Sequence, residues 1–389
     1  MTEKLVLAVV GLGFGAAFVP IYRSHPSIGR VIIVDADPTR SAQIGLRFGI
    51  PAEDCRTDIS QVLDDAAVDA VHILTPVPSH TELTVRVMQA GKHCACAVPM
   101  ATSLEDIDLI LQTQQQYGVN YMMMETSVYG REYFELAAAY SSGELGTITL
   151  YRGFHVQNLD GFPTYWQGYP PMHYLTHALS PILNLLDTHP VTVSARGSGI
   201  LTDERRSGDF NNPFPCEVGI FTLAGSSAIA DITMAFFQTG RSYIEGFDIY
   251  GDRGGLEWSR NHDGPLTRYA MSGPTPPGTD NSWGHVGRGN TVTTSVLEPQ
   301  DVVDTLTPEL RPFTHSGSVR LPGMPAPTRV EAHHGGSHPH LVNEFVNSIV
   351  DAREPHVGTV RAAQWSAAGI VAHESALRGG VELEVPTYL

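Results

Sequence analysis

The chain runs to 389 residues with a formal net charge of -17 at pH 7, 41 acidic residues standing against 24 basic ones. That length exceeds what one hydrophobic core usually serves and predicts two domains, while the acidic balance, with no basic stripe to offset it, argues against nucleic acid and anionic membranes as partners. Only Lys4 and Lys92 are lysines, every other basic residue being arginine, so chemistry that needs a lysine base has almost no candidates.

The apolar run LVLAVVGLGFGAAFVPI, residues 5–21, is broken by Gly11, Gly13, Gly15 and Pro20 and leads directly into another strand. It reads as strand, turn and helix rather than a signal sequence. With only four cysteines, too few for a disulfide scaffold, this places the protein in a reducing, cytoplasmic interior. LVLAVV (5–10) is a buried parallel strand, residues 14–25 a helix, and RVIIV (30–34) the second strand. A helix from Thr39 to Phe48 follows, then the strand AVHIL (70–74), a helix over 82–90, a strand over 92–95 and a helix over 104–117. A strand over 120–124 ends at Glu125. This alternation predicts an N-terminal α/β domain, residues 1–142, with a Rossmann doubly wound sheet.

From residue 143 to 389 the texture becomes that of an α+β domain. ITLYRGFHV (148–156), TVSARGSG (192–199), CEVGIFTLAG (216–225), SAIADITMAFF (227–237) and EGFDIYG (245–251) predict a one-sided, mostly antiparallel open sheet. HYLTHALSPILNLLD (173–187) has apolar residues at helical spacing. Residues 272–328, rich in Gly, Pro, Thr and Ser, read as a long irregular insertion on the surface or at a cleft rim. Two helices, residues 339–352 and 358–377, and a short strand ELEVP close the chain. The face of the sheet left uncovered predicts a homodimer or homotetramer.

Gly11-x-Gly13-x-x-Ala16, with Phe14 inside it, follows a strand and opens a helix, and Asp35 ends the next strand. Gly11 permits the tight turn, Gly13 lets backbone approach a pyrophosphate, and Ala16 allows close helix packing. Asp35 would accept from the adenosine ribose hydroxyls, which favours NAD over NADP, although Arg40 is placed to meet a second phosphate. Thr75 and Pro76 lie on the ligand edge of the sheet, with His80 either beside the cofactor or capping the next helix.

These features, with TPVPSH (75–80), Gly91-Lys92-His93 and the closing WSAAGIVAHESALRGG, resemble the Gfo/Idh/MocA superfamily of NAD-dependent oxidoreductases over almost the whole chain. The resemblance implies an acidic residue, lysine and proline after the Gly-Lys-His strand, but Ala97, Val98 and Pro99 stand there. The chain is more similar to the branch of NAD-dependent glycoside hydrolases typified by bacterial α-N-acetylgalactosaminidases. The shared motifs fall on Ala97-Val98-Pro99, Glu125 with Tyr129, Tyr174-x-Thr176-His177 and His334-Gly335-Gly336. Ser337-His338 and Glu125-Thr126-Ser127 depart from that branch and bear on which sugar is taken.

That resemblance implies a redox-neutral hydrolysis of a small-molecule glycoside. A tightly bound, recycled NAD oxidises C3, the aglycone leaves after loss of the C2 proton, water adds, and C3 is reduced again. His177 is expected to be the base for the C3 hydroxyl, with a pKa near the working pH. Tyr174 takes the C2 proton if nearby positive charge lowers its pKa, with Tyr129 as its alternative or a relay, and His334 protonates the leaving oxygen. Glu125 orients nicotinamide or substrate, or merely caps the following helix. Arg152, Arg196 and Arg329 with His155 and Trp166 are read as a pocket for an anionic sugar, or as solvated strand residues. His173 is placed with the substrate pocket or simply faces solvent. The spacing of His333, His334 and His338 is irregular for zinc and no metal is expected. The alternatives are an NAD-dependent sugar or polyol dehydrogenase using His177 in place of the lysine, and a nucleotide-binding protein without turnover.

Overall fold

Runs such as LVLAVV carry no polar residue to turn outward, which suits strands covered on both faces. In the computed structural model, which describes residues 4–206, 210–261, 264–274 and 290–388, they form β1 (Leu5–Val10), β2 (Ile28–Val34), β3 (Cys55–Arg56), β4 (Ala70–Ile73), β5 (His93–Cys96) and β6 (Tyr121–Met123). All neighbours are parallel, in the order β3-β2-β1-β4-β5-β6. The order reverses between β1 and β4, so the crevice beyond their C-terminal ends is where such a sheet receives a ligand. The predicted α/β architecture is therefore present. The predicted helix over 14–25 is instead a 3-10 turn, Gly15–Ala17, followed by the helix Val19–Ser24.

The second sheet is built from β7 (Ile148–Gln157), β8 (Pro190–Ser198), β9 (Cys216–Leu223), β10 (Ile229–Ala235), β11 (Tyr243–Gly251), β12 (Gly254–Glu257), β13 (Leu266–Pro274) and β14 (Asn290–Leu297). After a small pair of strands, β15 (Gly317–Val319) and β16 (Thr328–Val330), the chain adds β17 (Leu383–Glu384) at the far edge. The order is β14-β13-β12-β11-β7-β10-β9-β8-β17, antiparallel except where β10 runs parallel to β7. Strand parity directs Tyr151, Phe221 and Phe247 inward under helices Thr176–Leu185 and Thr359–Leu377, and leaves Val218 and Ile220 exposed on the outer face.

Two expectations are corrected. The segment 272–328 is not irregular throughout, because β14 pairs with β13 and β15 with β16. NTVTTSVL is rich in the β-branched residues threonine and valine, a strand signal that the surrounding Gly and Pro obscured; residues 275–289 lie outside the described residues. The helix predicted over 173–187 is two pieces, a 3-10 turn Pro171–Tyr174 and the helix Thr176–Leu185.

The last helices return to the first sheet. Leu341, Val342, Phe345 and Val346 of helix His338–Val350 pack in one core with Leu7, Val9, Val31 and Ile33. Ser366 of the final helix bonds to the Met100 backbone nitrogen at 3.2 Å. This return brings the His334 segment to the glycine turn. No described helix is long and apolar enough to cross a membrane.

Candidate active site

The crevice between β1 and β4 is shaped for close approach of a ligand backbone. Gly11 has φ +91°, and a Cβ there would lie 2.6 Å from the Leu74 carbonyl oxygen, so only glycine is accommodated. A Cβ on Gly13 would meet nothing within 4 Å, which leaves that amide open to a phosphate. Close packing of turn on strand belongs to Gly15, whose Cβ would meet Leu74 at 3.0 Å, rather than to the half-buried Ala16 as expected from the spacing. Asp35 accepts from the backbone nitrogens of Leu12 at 2.8 Å and Asp37 at 2.9 Å and pairs with Arg40 at 3.2 Å. These residues fit an adenosine diphosphate with a free ribose 2′-hydroxyl.

At the same edge the Thr75 hydroxyl bonds to that of Ser79 at 2.7 Å, and Pro76 precedes the short turn Val77–Ser79. His80 departs from both of its readings. It is buried, with Nδ1 2.9 Å from the Pro99 carbonyl and Nε2 3.0 Å from that of Thr75, and so ties the loop after β4 to the loop after β5. Phe14 is 45% exposed and stands 5.8 Å from the His334 ring and 5.5 Å from that of His338.

Beyond Phe14 opens a cavity of about 500 Å³ whose lining includes His177, Tyr243, Glu245, His333 and His334. Its floor depends on Gly153. A Cβ there would fall 1.9 Å from the Ala178 carbonyl, so only glycine lets helix Thr176–Leu185 lie on β7. That contact puts the His177 ring 5.9 Å from His155. Glu125, at the end of the last parallel strand, is 0% exposed; its Oε1 is 2.6 Å from His177 Nδ1 and accepts from the Ser127 nitrogen at 3.0 Å and hydroxyl at 2.9 Å. It thus both caps the turn Thr126–Val128 and orients His177.

Glu245, on β11 directly across from His155, places Oε1 3.9 Å from the same Nδ1 and accepts from the Tyr243 hydroxyl at 2.8 Å on Oε2. Burial alone would pull His177 down, but the charges of Glu125 and Glu245 outweigh it and raise the imidazole to about 9. Burial likewise pushes Glu245 up, and the facing charges of His177, His155 and His334 bring it down to about 2. His155 and His334 are each lowered to about 4, burial being the main cause. The resting site therefore holds an imidazolium between two carboxylates, with neutral imidazoles beside it. His334 lies stacked on His177 at 6.2 Å, its Nδ1 is 3.3 Å from His338 Nε2, and its φ is +48°.

Other sequence candidates fall elsewhere. The Tyr174 ring is 5.1 Å from that of His177 but does not line the cavity, and burial followed by the charges of Glu125 and Glu245 drives its phenol up rather than down. Tyr129 points away, toward His356 at 6.4 Å and the charges of Glu344 and Arg353, with its buried phenol also raised. Arg152 sits on the outer face of β7, where strand parity puts it opposite the buried His155, and pairs with Asp231 at 3.3 Å. Arg329 is largely exposed beside Glu331. Arg196 packs by Gly380. The guanidinium pocket is thereby lost, and the arginines that do line the cavity, Arg131 and Arg241, have donors engaged with Asp301 and with backbone carbonyls.

His173 is turned to the final helix, 5.1 Å from His373, and burial lowers it to about 3. Trp166 stacks edge-on against Tyr174 at 5.2 Å and lines a separate hollow of about 190 Å³. Among the described residues no group of three or more His, Cys, Asp or Glu is arranged to hold a metal ion.

Residues 5–125 match the family described as "Oxidoreductase family, NAD-binding Rossmann fold" (GFO_IDH_MocA). A Glycosyl hydrolase family 109 protein of Porphyromonas gingivalis is 30% identical over 48% of this chain and 44% of its own. The scyllo-inositol 2-dehydrogenase (NAD(+)) of Bacillus subtilis is 24% identical over 67% of this chain and 74% of its own. The match with the family 109 protein thus spans less than half the length of that relative. A solved levoglucosan dehydrogenase, in complex with NADH and levoglucosan, superposes with TM-score 0.74 at 18% identity, covering 99% of this chain and 100% of its own. At that identity the likeness speaks for the fold.

Proposed function

We propose that this chain, which belongs through residues 5–125 to the Gfo/Idh/MocA oxidoreductase family and its NAD-binding Rossmann fold, is an NAD-dependent glycoside hydrolase that recycles its coenzyme. When bound, the nicotinamide supplies hydride abstraction from, and return to, a ring carbon of the sugar. Glu125 holds His177 by Nδ1, and once the imidazolium has passed its Nε2 proton to a neutral neighbouring imidazole, Nε2 takes and gives back the proton of the hydroxyl being oxidised. His334 and His155, neutral at pH 7, stand by as proton acceptors and relays. Phe14 and the His334 turn close the cofactor side of the cavity.

One observation favours hydrolysis over simple oxidation. A dehydrogenase needs a single group to handle one hydroxyl proton, yet Glu245, His155 and His334 are grouped around His177 in addition. Elimination and rehydration require such further proton carriers. The ordinary two-carboxylate route fits poorly, because it needs a carboxylic acid kept protonated near neutral pH. Glu125 is sealed from the cavity and held below its usual range by the opposing charge of His177, which outweighs burial, while Glu245 is ionised.

The test is to follow an aryl glycoside with the dinucleotide present. Aglycone released without accumulation of reduced dinucleotide supports the hydrolase. Reduced dinucleotide formed in step with consumed sugar supports the second reading, a sugar or polyol dehydrogenase, which the buried Glu125–His177 pair also suits as an alcohol base. We place the contact between copies of the chain on the outer sheet face that exposes Val218 and Ile220.

A further inference from the structure

We propose that Glu245 is the base that removes the C2 proton of the oxidised sugar; this rests on the hydrolase reading above. Elimination needs a proton acceptor that touches the substrate and is free of its own proton at neutral pH. Glu125 is excluded, being fully buried with Oε1 committed to His177 and Ser127. Tyr174 does not line the cavity and keeps its proton, because burial and two neighbouring carboxylates disfavour the phenolate. Glu132 and Glu298 also line the cavity, but of the carboxylates that line it only Glu245 is among the charges that shift His177.

Glu245 meets each requirement. It lines the cavity, its side chain is 11% exposed, and it is ionised. The Tyr243 hydroxyl holds Oε2 at 2.8 Å, which fixes the direction in which Oε1 is presented. Oε1 is 3.9 Å from His177 Nδ1, the nitrogen held by Glu125, so the carboxylate lies within one imidazole ring of the Nε2 that meets the C3 oxygen, a span that the adjacent C2–H can bridge.

With C3 a ketone, Oε1 of Glu245 takes the C2 proton, and the C2–H electron pair moves toward the ketone, where the His177 imidazolium stabilises the developing negative charge. The enolate re-forms the C3 carbonyl as the C1=C2 bond is made, and the C1–O bond breaks with its pair leaving on the aglycone oxygen. Water then adds hydroxide to C1 and supplies the aglycone's proton, while protonated Glu245 returns the proton to C2. The carboxylate is regenerated, and the only oxidant required is the oxidised nicotinamide dinucleotide that makes the ketone beforehand.

A chemically prepared 3-keto aryl glycoside isolates this step, since it needs no hydride transfer. The purified wild-type protein in deuterium oxide is expected to release phenol and place deuterium at C2. Glu245→Gln should lower both by about 10²- to 10⁴-fold, the usual contribution of a positioned general base. Its dinucleotide affinity and urea midpoint report whether it is folded. Glu245→Asp keeps the charge but withdraws it by one methylene and should slow exchange by about tenfold or more. Either folded variant exchanging C2 at the wild-type rate overturns the assignment. Failure of the reading beneath it looks different: wild type then acts on the 3-keto compound yet releases no phenol from the parent glycoside with dinucleotide present.

Discussion

Glu125→Gln removes a buried charge while keeping its shape, and the structure sets the size of the effect. His177 stands at about 9 against an ordinary 6.5, which corresponds to about 3 kcal/mol of preference for the imidazolium in the folded chain. Because the folded value is raised, that stabilisation is complete below 6.5 and is lost as pH climbs through 9. Glu125 has the opposite sign: its folded value is depressed, so its contribution is present above 4.5 and disappears as the pH falls. Glu245 remains 3.9 Å from the imidazole in the variant and retains part of the effect. The expected deficit is about 2 kcal/mol near pH 6.5, narrowing toward pH 9 as wild type itself loses the imidazolium. Urea unfolding across that window reads the deficit as a shift in midpoint at constant slope. A nuclear magnetic resonance titration of the His177 ring should show it losing its proton at lower pH in the variant. A deficit that stays constant with pH, or a His177 ring that titrates identically in both proteins, would refute the electrostatic account of this pair.

Gly11→Ala is expected to abolish dinucleotide binding in a fluorescence titration and to destabilise the chain by about 1–3 kcal/mol, since the new Cβ meets the Leu74 carbonyl at 2.6 Å in a backbone of φ +91°. Asp35→Ser frees Arg40, now 3.2 Å from the carboxylate, and should move the ratio of NAD to NADP affinity by about tenfold or more toward NADP; an unchanged ratio of the two Kd values would count against the ribose contact. Arg131 donates to the carbonyls of Gly335 at 3.3 Å and Thr314 at 3.1 Å and pairs with Asp301 at 3.1 Å, bracing the turn that keeps His334 left-handed. Arg131→Lys cannot reproduce that fork and should lower kcat by about 10- to 100-fold with dinucleotide Kd unchanged. Arg152→Ala, on the far face of β7, should leave kcat/KM unaltered; a large loss would restore the arginine to the sugar pocket.

The parallel sheet was legible because its signal is local: apolar runs, a glycine turn and an acidic strand end recur at fixed spacing, and each is dictated by contacts within a few residues. The second sheet was legible as a set of alternating strands, but not where alternation was short or set among Gly and Pro, as in β12 and β14. Site chemistry was legible by residue type more than by position. Glu125, His177 and His334 do meet, yet nothing local to any of them states that Glu125 and Glu245 would share one imidazole and invert the expected protonation of His177 and His334.

Strand parity was the one signal able to separate the true lining from its decoys. In ITLYRGFHV it sends His155 inward and Arg152 outward, and in YIEGFDIYG it puts Glu245 on the inward side with Phe247 and Ile249, a carboxylate among apolar positions. A charge so placed costs several kcal/mol unless something nearby compensates it. That compensation comes from His177 on a helix that only Gly153 permits to approach. The glycine in β7, the glutamate in β11 and the histidine on the helix between β7 and β8 are thus one arrangement. Replacing Gly153 by alanine should therefore disturb the site's proton chemistry as surely as replacing a residue that touches substrate.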